Sequence, residues 1–277
     1  MFLGKLAQDV GIPDGVFSVI TGDRETGAAL VASPSVSMVS FTGSSLTGSK
    51  IMAASAPKLS QVALELGGKS AMVIFEDTDI ERAVEATIKG CLTNGGQICT
   101  AHTRLIVQEG IKDQLLENLK NVLEKIPYCL DPITERERGD RAWETGMTDV
   151  IQPIVSDSQH EKVLGFLNEA KASGIEIYTG GGVPDPTDVK NSSGYFIQPT
   201  ILTNVPRDSD AWQKEIFGPV LSVRSFSAEA DAIAEANSTA FGLASTVMSS
   251  DPAKAMRVAN RIRAGAVFAT STGEGLL

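Results

Sequence analysis

Ser37-Met38-Val39-Ser40-Phe41-Thr42-Gly43-Ser44 decides how the chain is read. The β-prone run predicts a strand over 37–41, the glycine a tight turn, and the apolar spacing that follows a helix over roughly 46–57. Strand, glycine turn and helix form the setting in which backbone N–H groups at a helix start meet a phosphate. Gly43 and Ser44 are therefore candidate contacts for a cofactor pyrophosphate, with Gly22 closing the same site. The spacing from Gly43 to Gly48 is looser than GxGxxG, so taken alone the stretch also fits an ordinary turn.

Working outward, residues 3–10 and 25–33 have helical spacing, and Val16–Ile20 reads as a buried strand ended by Thr21-Gly22-Asp23. Val62-Ala63-Leu64 reads as a short strand delivering Glu65, and Ala71–Phe75 as another. A helix is expected from Asp79 to Leu92, capped by Asp77 or Thr78. A strand at Leu105–Val107 precedes a helix over 111–125. The stretch 127–153, with Trp143, reads as irregular. Helices follow at 159–173, 229–239 and 251–263, the last two around a strand at Ser245–Met248, and Gly180–Gly194 reads as a surface turn region. Alternating β and α elements favour an α/β fold with a parallel or mixed sheet.

At 277 residues the chain has room for one large or two medium domains. Hydrophobic content of 42% with 21% charged residues fits a globular protein, and no apolar run approaches the roughly 18–20 residues of a membrane span. No secretory signal is apparent at Met1, and a cytoplasmic location is expected. A net charge of −10 argues against a nucleic-acid partner. Cys91, Cys99 and Cys129 are too sparse for a disulfide framework. His102 and His160 lack metal-ligand spacing, so no metal site is expected.

Two Gly-rich motifs carry chemistry: Glu65-Leu66-Gly67-Gly68-Lys69 and Gly96-Gln97-Ile98-Cys99-Thr100. A carboxylate and a thiol, each beside small residues that admit a ligand to the backbone, supply a base and a nucleophile. Leu66 and Gly67, next to the carboxylate, are candidate cofactor contacts. Partial burial of Glu65 would bring its pKa toward working pH. Without context, Glu65 reads as a solvated strand-end carboxylate and Cys99 as a small buried residue. Lys69 reads as the partner of a carboxylate, without chemistry of its own.

With Phe41-Thr42-Gly43-Ser44, these two motifs, Glu215-Ile216-Phe217-Gly218-Pro219-Val220 and Phe241-Gly242-Leu243 in this order, the sequence resembles the aldehyde dehydrogenase superfamily. Gly90-Cys91 ahead of Gly96-Gln97-Ile98-Cys99 is most similar to its betaine- and amino-aldehyde branch. The resemblance implies part of a Rossmann-type NAD(P)-binding domain over 1–66 and an α/β catalytic thiol domain over 67–277. It implies an aldehyde as substrate and NAD or NADP as cofactor, with Cys99 as nucleophile and Glu65 as the base that activates water. It adds Glu215 on the nicotinamide ribose hydroxyls, Phe217 beside the nicotinamide and Gln159 near a ribose, and it places Ile98 and Thr100 toward the aldehyde. Family members are homo-oligomers and much longer. This chain starts within the family's cofactor domain and stops short of its C-terminal assembly segments, so a fragment or shortened form is expected. An upstream oxyanion asparagine and a ribose lysine have no counterpart. Thr93 and Gly95 replace bulkier residues, and Gln152-Pro153 stands where Gly-Pro is usual. Two alternatives stay open: a non-catalytic relative serving as a binding or assembly subunit, and a cofactor-independent thiol esterase.

Overall fold

The computed structural model describes residues 1–128, 150–189 and 193–270. Cys129, Trp143 and most of the stretch read as irregular lie outside the described residues. The chain forms two compact units, Met1–Leu66 and Gly67–Leu277.

The first unit contains α1 (Phe2–Asp9), α2 (Arg24–Ala32), β1 (Met38–Gly43), α3 (Ser45–Ser55) and β2 (Gln61–Leu66). The two strands pair in parallel from Met38↔Gln61 to Gly43↔Leu66, with α3 as the crossover. Lys58 fixes the crossover by donating to the Ser33 carbonyl at 2.8 Å, past the end of α2. Ser44 is the N-cap of α3, its hydroxyl accepting from the Thr47 N–H. The expected strand at Val16–Ile20 is absent: the segment is exposed and neither β1 nor β2 hydrogen-bonds to it, so its β-prone side chains have no ladder to join.

In the second unit, β3 (Ala71–Ile74), α4 (Ile80–Leu92), β4 (Arg104–Gln108), α5 (Lys112–Leu123), α6 (Asp157–Ala172), β5 (Glu176–Thr179), β6 (Thr200–Thr203), α7 (Asp210–Gln213), β7 (Val220–Phe226), α8 (Glu229–Ala236), β8 (Ala244–Met248), α9 (Pro252–Ala259) and β9 (Ala266–Thr270) follow in order. The strands form a seven-stranded sheet ordered β5-β6-β7-β4-β3-β8-β9. Every pairing is parallel except β5 with β6. Parallel sheets are covered on both faces, and the core divides accordingly. Val73, Ile106 and Val247 face one way with Val163, Leu167, Ala232 and Val258, while Met72, Ile74, Leu105 and Val107 face the other with Ala83, Ile88, Leu115 and Leu119.

The cap of α4 is Asp79, whose carboxylate accepts from the Arg82 N–H at 3.0 Å. The two residues expected there are engaged elsewhere. Asp77 accepts from the Ser249 and Ser250 hydroxyls and pairs with Lys254, and Thr78 donates to the Met248 carbonyl.

Candidate active site

The register aligns the starts of four neighbouring strands: Ala71 of β3 lies opposite Arg104 of β4 and Ser245 of β8, and Arg104 lies opposite Ser222 of β7. Parallel strands share one amino edge, so the segments entering them gather there. Gly67-Gly68-Lys69 enters β3, Gly96–Cys99 leads to β4, Glu215–Pro219 enters β7 and Phe241-Gly242-Leu243 enters β8. Motifs far apart in sequence become one cluster.

Glycine is required where these segments touch. A first side-chain carbon at Gly67 would strike the Glu215 carboxylate, one at Gly68 would strike the Cys99 carbonyl oxygen, and one at Gly96 would strike the Gly218 carbonyl. The Leu243 side chain packs on Gly68. The Gly68 N–H donates to Glu215 Oε1 at 3.2 Å. Glu215 is half-buried, and burial raises its pKa against the opposing pull of that N–H, Lys162 and Lys69. Phe217 adopts φ +60°, rare for a residue with a side chain and held here by its neighbours. Gln159 Nε2 donates to the Ile216 and Phe217 carbonyls at 2.9 and 3.0 Å, so its amide braces this loop from α6.

Asn94, Gly95 and Gly96 run in succession through left-handed φ of 55°, 64° and 73°. Next comes a turn closed by the Ala101 N–H on the Ile98 carbonyl, with half-buried Cys99 near its apex. Among the described residues nothing accepts from the Cys99 N–H. Cys91 is wholly buried in α4, and burial pushes its thiol up to about 12.

Behind the glycines, Lys69 is 1% exposed and its Nζ has no hydrogen-bond partner among the described residues. The carboxylate pairing expected for it is not made among the described residues, and Glu215 accepts from the Gly68 N–H. Burial, and then the Arg104 charge, bring the Lys69 pKa down to about 7. Arg104 anchors this segment, with Nε donating to the Lys69 carbonyl at 2.7 Å and the guanidinium 5.1 Å from the Trp212 ring centre. Its other nitrogens donate to the Glu235 and Ala236 carbonyls at the end of α8. Arg104→Met leaves buried carbonyls unpaired, and a loss of about 3 kcal/mol is expected in urea unfolding; a loss below about 1 kcal/mol would show that the anchor is dispensable.

In the first unit, a side chain at Gly22 would strike Thr26 of α2, and one at Gly43 would strike the Phe41 ring. Leu66 packs on Gly48 of α3. Among the described residues nothing accepts from the Ser45 and Leu46 N–H groups at the start of α3, which are donors suited to an anion. Glu65 lies at the end of β2 with its side chain exposed, not partly buried as expected; alternation along this half-covered strand turns it outward.

His160, expected to lack ligand spacing, comes together with Asp157 and Glu161, their donor atoms within 4.8 Å of one another. Helical i, i+3, i+4 spacing produces the group. Both carboxylates are exposed, and the positive end of α6 beside them disfavours a cation.

Comparison with known proteins places these observations. The profile of the aldehyde dehydrogenase family matches residues 1–275. Aminoaldehyde dehydrogenase 1 of Pisum sativum, named as peroxisomal, is 43% identical over 267 residues, covering 96% of this chain and 50% of the relative. The chloroplastic betaine aldehyde dehydrogenase of Beta vulgaris is 40% identical over 266 residues, with the same coverages. A crystal structure of betaine aldehyde dehydrogenase from Staphylococcus aureus in complex with NAD+ superposes with a TM-score of 0.86 at 35% identity, covering 96% of this chain and 50% of that one. The chain spans about half the length of the curated relatives it matches. Among the described residues no helix is long and apolar enough to cross a membrane. The chain, α/β throughout, belongs to the aldehyde dehydrogenase family.

Proposed function

We propose that the chain carries the thiol chemistry of an NAD(P)-dependent oxidation of an aldehyde to a carboxylate. The observation that carries this reading is the cluster at the amino edge of the sheet, where Gly68 touches the Cys99 carbonyl and binds the half-buried Glu215 carboxylate. Attack of Cys99 Sγ on the aldehyde carbon forms a carbon–sulfur bond, and the Cys99 N–H is available to the developing oxyanion. When bound, the nicotinamide supplies the acceptor for the hydride that leaves this adduct. Water, its proton taken by Glu65, adds to the resulting thioester, and Sγ departs to give the carboxylate and the free thiol. Glu65 holds this role through its motif.

The cofactor fits the residues present. Glu215 offers two carboxylate oxygens to a pair of ribose hydroxyls, and Gly67 leaves the face beside them bare. Phe217 follows on the same loop, braced by Gln159. The free N–H groups after Gly43 and Ser44 suit a pyrophosphate. The names of the pea and beet relatives point to an amino or quaternary ammonium aldehyde.

Aldehyde-dependent NAD(P)H formation by the purified chain, beside Cys99→Ala, tests the reading. Activity lost in the variant supports it. A folded wild-type chain without activity, or activity retained in Cys99→Ala, would sink it.

A second reading, an assembly subunit, is favoured by the surface of the first unit. Leu59 is 90% exposed, Phe2 77%, Val16 72% and Leu46 69%, and among the described residues neither β1 nor β2 has a second strand neighbour. This reading expects self-association or a bound partner in sedimentation velocity. A monodisperse monomer with full dehydrogenase activity would remove it.

A further inference from the structure

Gln97 is 9% exposed, and its single carboxamide makes three hydrogen bonds. Nε2 donates to the Asn94 carbonyl at 3.1 Å and to the Pro153 carbonyl at 3.3 Å, and Oε1 accepts from the Val155 N–H at 2.9 Å. We propose that Gln97 is the positioning residue of the Cys99 thiol, tying the turn that presents Sγ to the segment 153–155. The proposal deepens the dehydrogenase reading, and its link to turnover rests on that reading.

The turn needs such a tie. Three successive left-handed residues, one of them not glycine, persist only where their surroundings hold them. Gln97 closes the turn on itself through its own N–H and Nε2, both donating to the Asn94 carbonyl, while Asn94 Nδ2 donates back to the Gln97 carbonyl. Its remaining bonds leave the turn and reach a segment 56 to 58 residues away. That segment runs into Ser156, the N-cap of α6, and on to Gln159, which holds the Ile216 and Phe217 carbonyls. One short strap thus holds the Gln97 amide at one end, through the Pro153 carbonyl and the Val155 N–H, and at the other carries the Gln159 amide that braces the Glu215–Phe217 loop. Cys99 lies two residues from Gln97, so displacing the carboxamide is expected to move the backbone that carries Sγ.

Two variants separate positioning from mere support. Gln97→Glu keeps an acceptor for Val155 but turns a carboxylate oxygen toward the Asn94 and Pro153 carbonyls. Gln97→Met keeps the volume and loses all three bonds. The readout is the rate at which iodoacetamide alkylates Cys99, followed by peptide mass mapping, with buried Cys91 as an internal monitor of opening. Both variants are expected to change the Cys99 rate by about tenfold or more at about pH 8 while Cys91 stays protected. Protonation gives the new Glu side chain a donor, so the ratio of its rate to wild type is expected to return toward one as the pH falls to about 5, while Gln97→Met shows no such return. Rates within about twofold of wild type in both variants, or Cys91 opening in step with Cys99 in both, would overturn the proposal. Variants that behave as expected beside a wild type that forms no NAD(P)H leave the positioning role standing and remove the dehydrogenase reading. An active wild type whose Gln97→Glu variant keeps both kcat and KM removes the positioning role alone.

Discussion

Gly96→Ala is expected to destabilise the Gly67–Leu277 unit by about 3–5 kcal/mol and to lower its melting temperature by roughly 10 °C. Two costs add. At φ +73° a side chain meets the left-handed penalty of roughly 1–2 kcal/mol. The new carbon would also strike the Gly218 carbonyl group and approach the Pro219 nitrogen at 3.0 Å, backbone atoms with no rotamer to give. The Glu215–Pro219 loop must therefore move away from the nucleophile turn, and Cys99 alkylation is expected to change with it. Gly165→Ala is the matched control. Gly165 is exposed within α6, has no positive φ and has open space where its side chain would stand, so alanine there is expected to stabilise by about 0.5–1 kcal/mol. Chemical denaturation of both variants checks the pair. Equal and small effects would mean that the turn relaxes freely, and the close contact between the two loops would then have no energetic weight.

The stretch 37–44 was readable because its signals are local: the β-prone run coincides with most of β1 and the apolar spacing after it with α3, although Gly43, read as a turn, is the last residue of β1 and the Ser44 cap was not foreseen. Most helices were likewise predicted from apolar spacing. The strand β7 was missed because polar residues break its apolar run. In the folded chain Ser222 donates to the Ala211 carbonyl, and Arg224 pairs with Glu235 and donates to the Val205 carbonyl, partners that no local pattern reveals. The strands β5 and β6 have four residues each, too few for a period to register. Val16–Ile20 failed in the opposite direction, with β-prone residues and no strand to pair with among the described residues. The cap of α4 was misplaced by one or two residues, since Asp77, Thr78 and Asp79 all have the right chemistry and only long-range partners assign them.

The site divides in the same way. Cys99, Glu215 and Gly67 stand out as motif members, but their gathering depends on the strand order β7-β4-β3-β8, which is not the order of the sequence. Gln97 was visible inside its motif without a role, because its partners are Pro153 and Val155. Lys69 was read as one half of an ion pair. Nothing in Gly67-Gly68-Lys69 signals that the amine would be buried with no hydrogen-bond partner among the described residues.

That enclosure predicts an unusual pH dependence. Lys69→Met is expected to raise stability at pH 7 by several kcal/mol and to remove part of its pH dependence above that point. The sign follows from proton counting. The Lys69 amine has a pKa of about 7 in the folded chain against 10.5 in its ordinary state. Between those values the unfolded chain holds a proton that the folded chain lacks, so stability rises with pH. The slope is about 1.4 kcal/mol per unit, and the whole cost of burial, roughly 5 kcal/mol, is borne below pH 7. Three other buried groups act outside the window from about pH 7 to 9. His102, lowered to about 4 by burial, acts between that value and 6.5. Cys91, raised from 9.0 to about 12, acts above 9 and in the opposite direction, because there the unfolded thiol ionises first. Arg104, lowered to about 10, acts higher still. Methionine fills the channel of the lysine stem without an amine to desolvate, and replacing buried charge by apolar volume is commonly stabilising. Urea unfolding at pH 7 and 9 is expected to show wild type gaining about 2–3 kcal/mol more than Lys69→Met over the interval. Parallel gains in the two proteins would mean that Lys69 keeps its proton in the folded chain, held by a carboxylate, and Glu215 would be the group to test next.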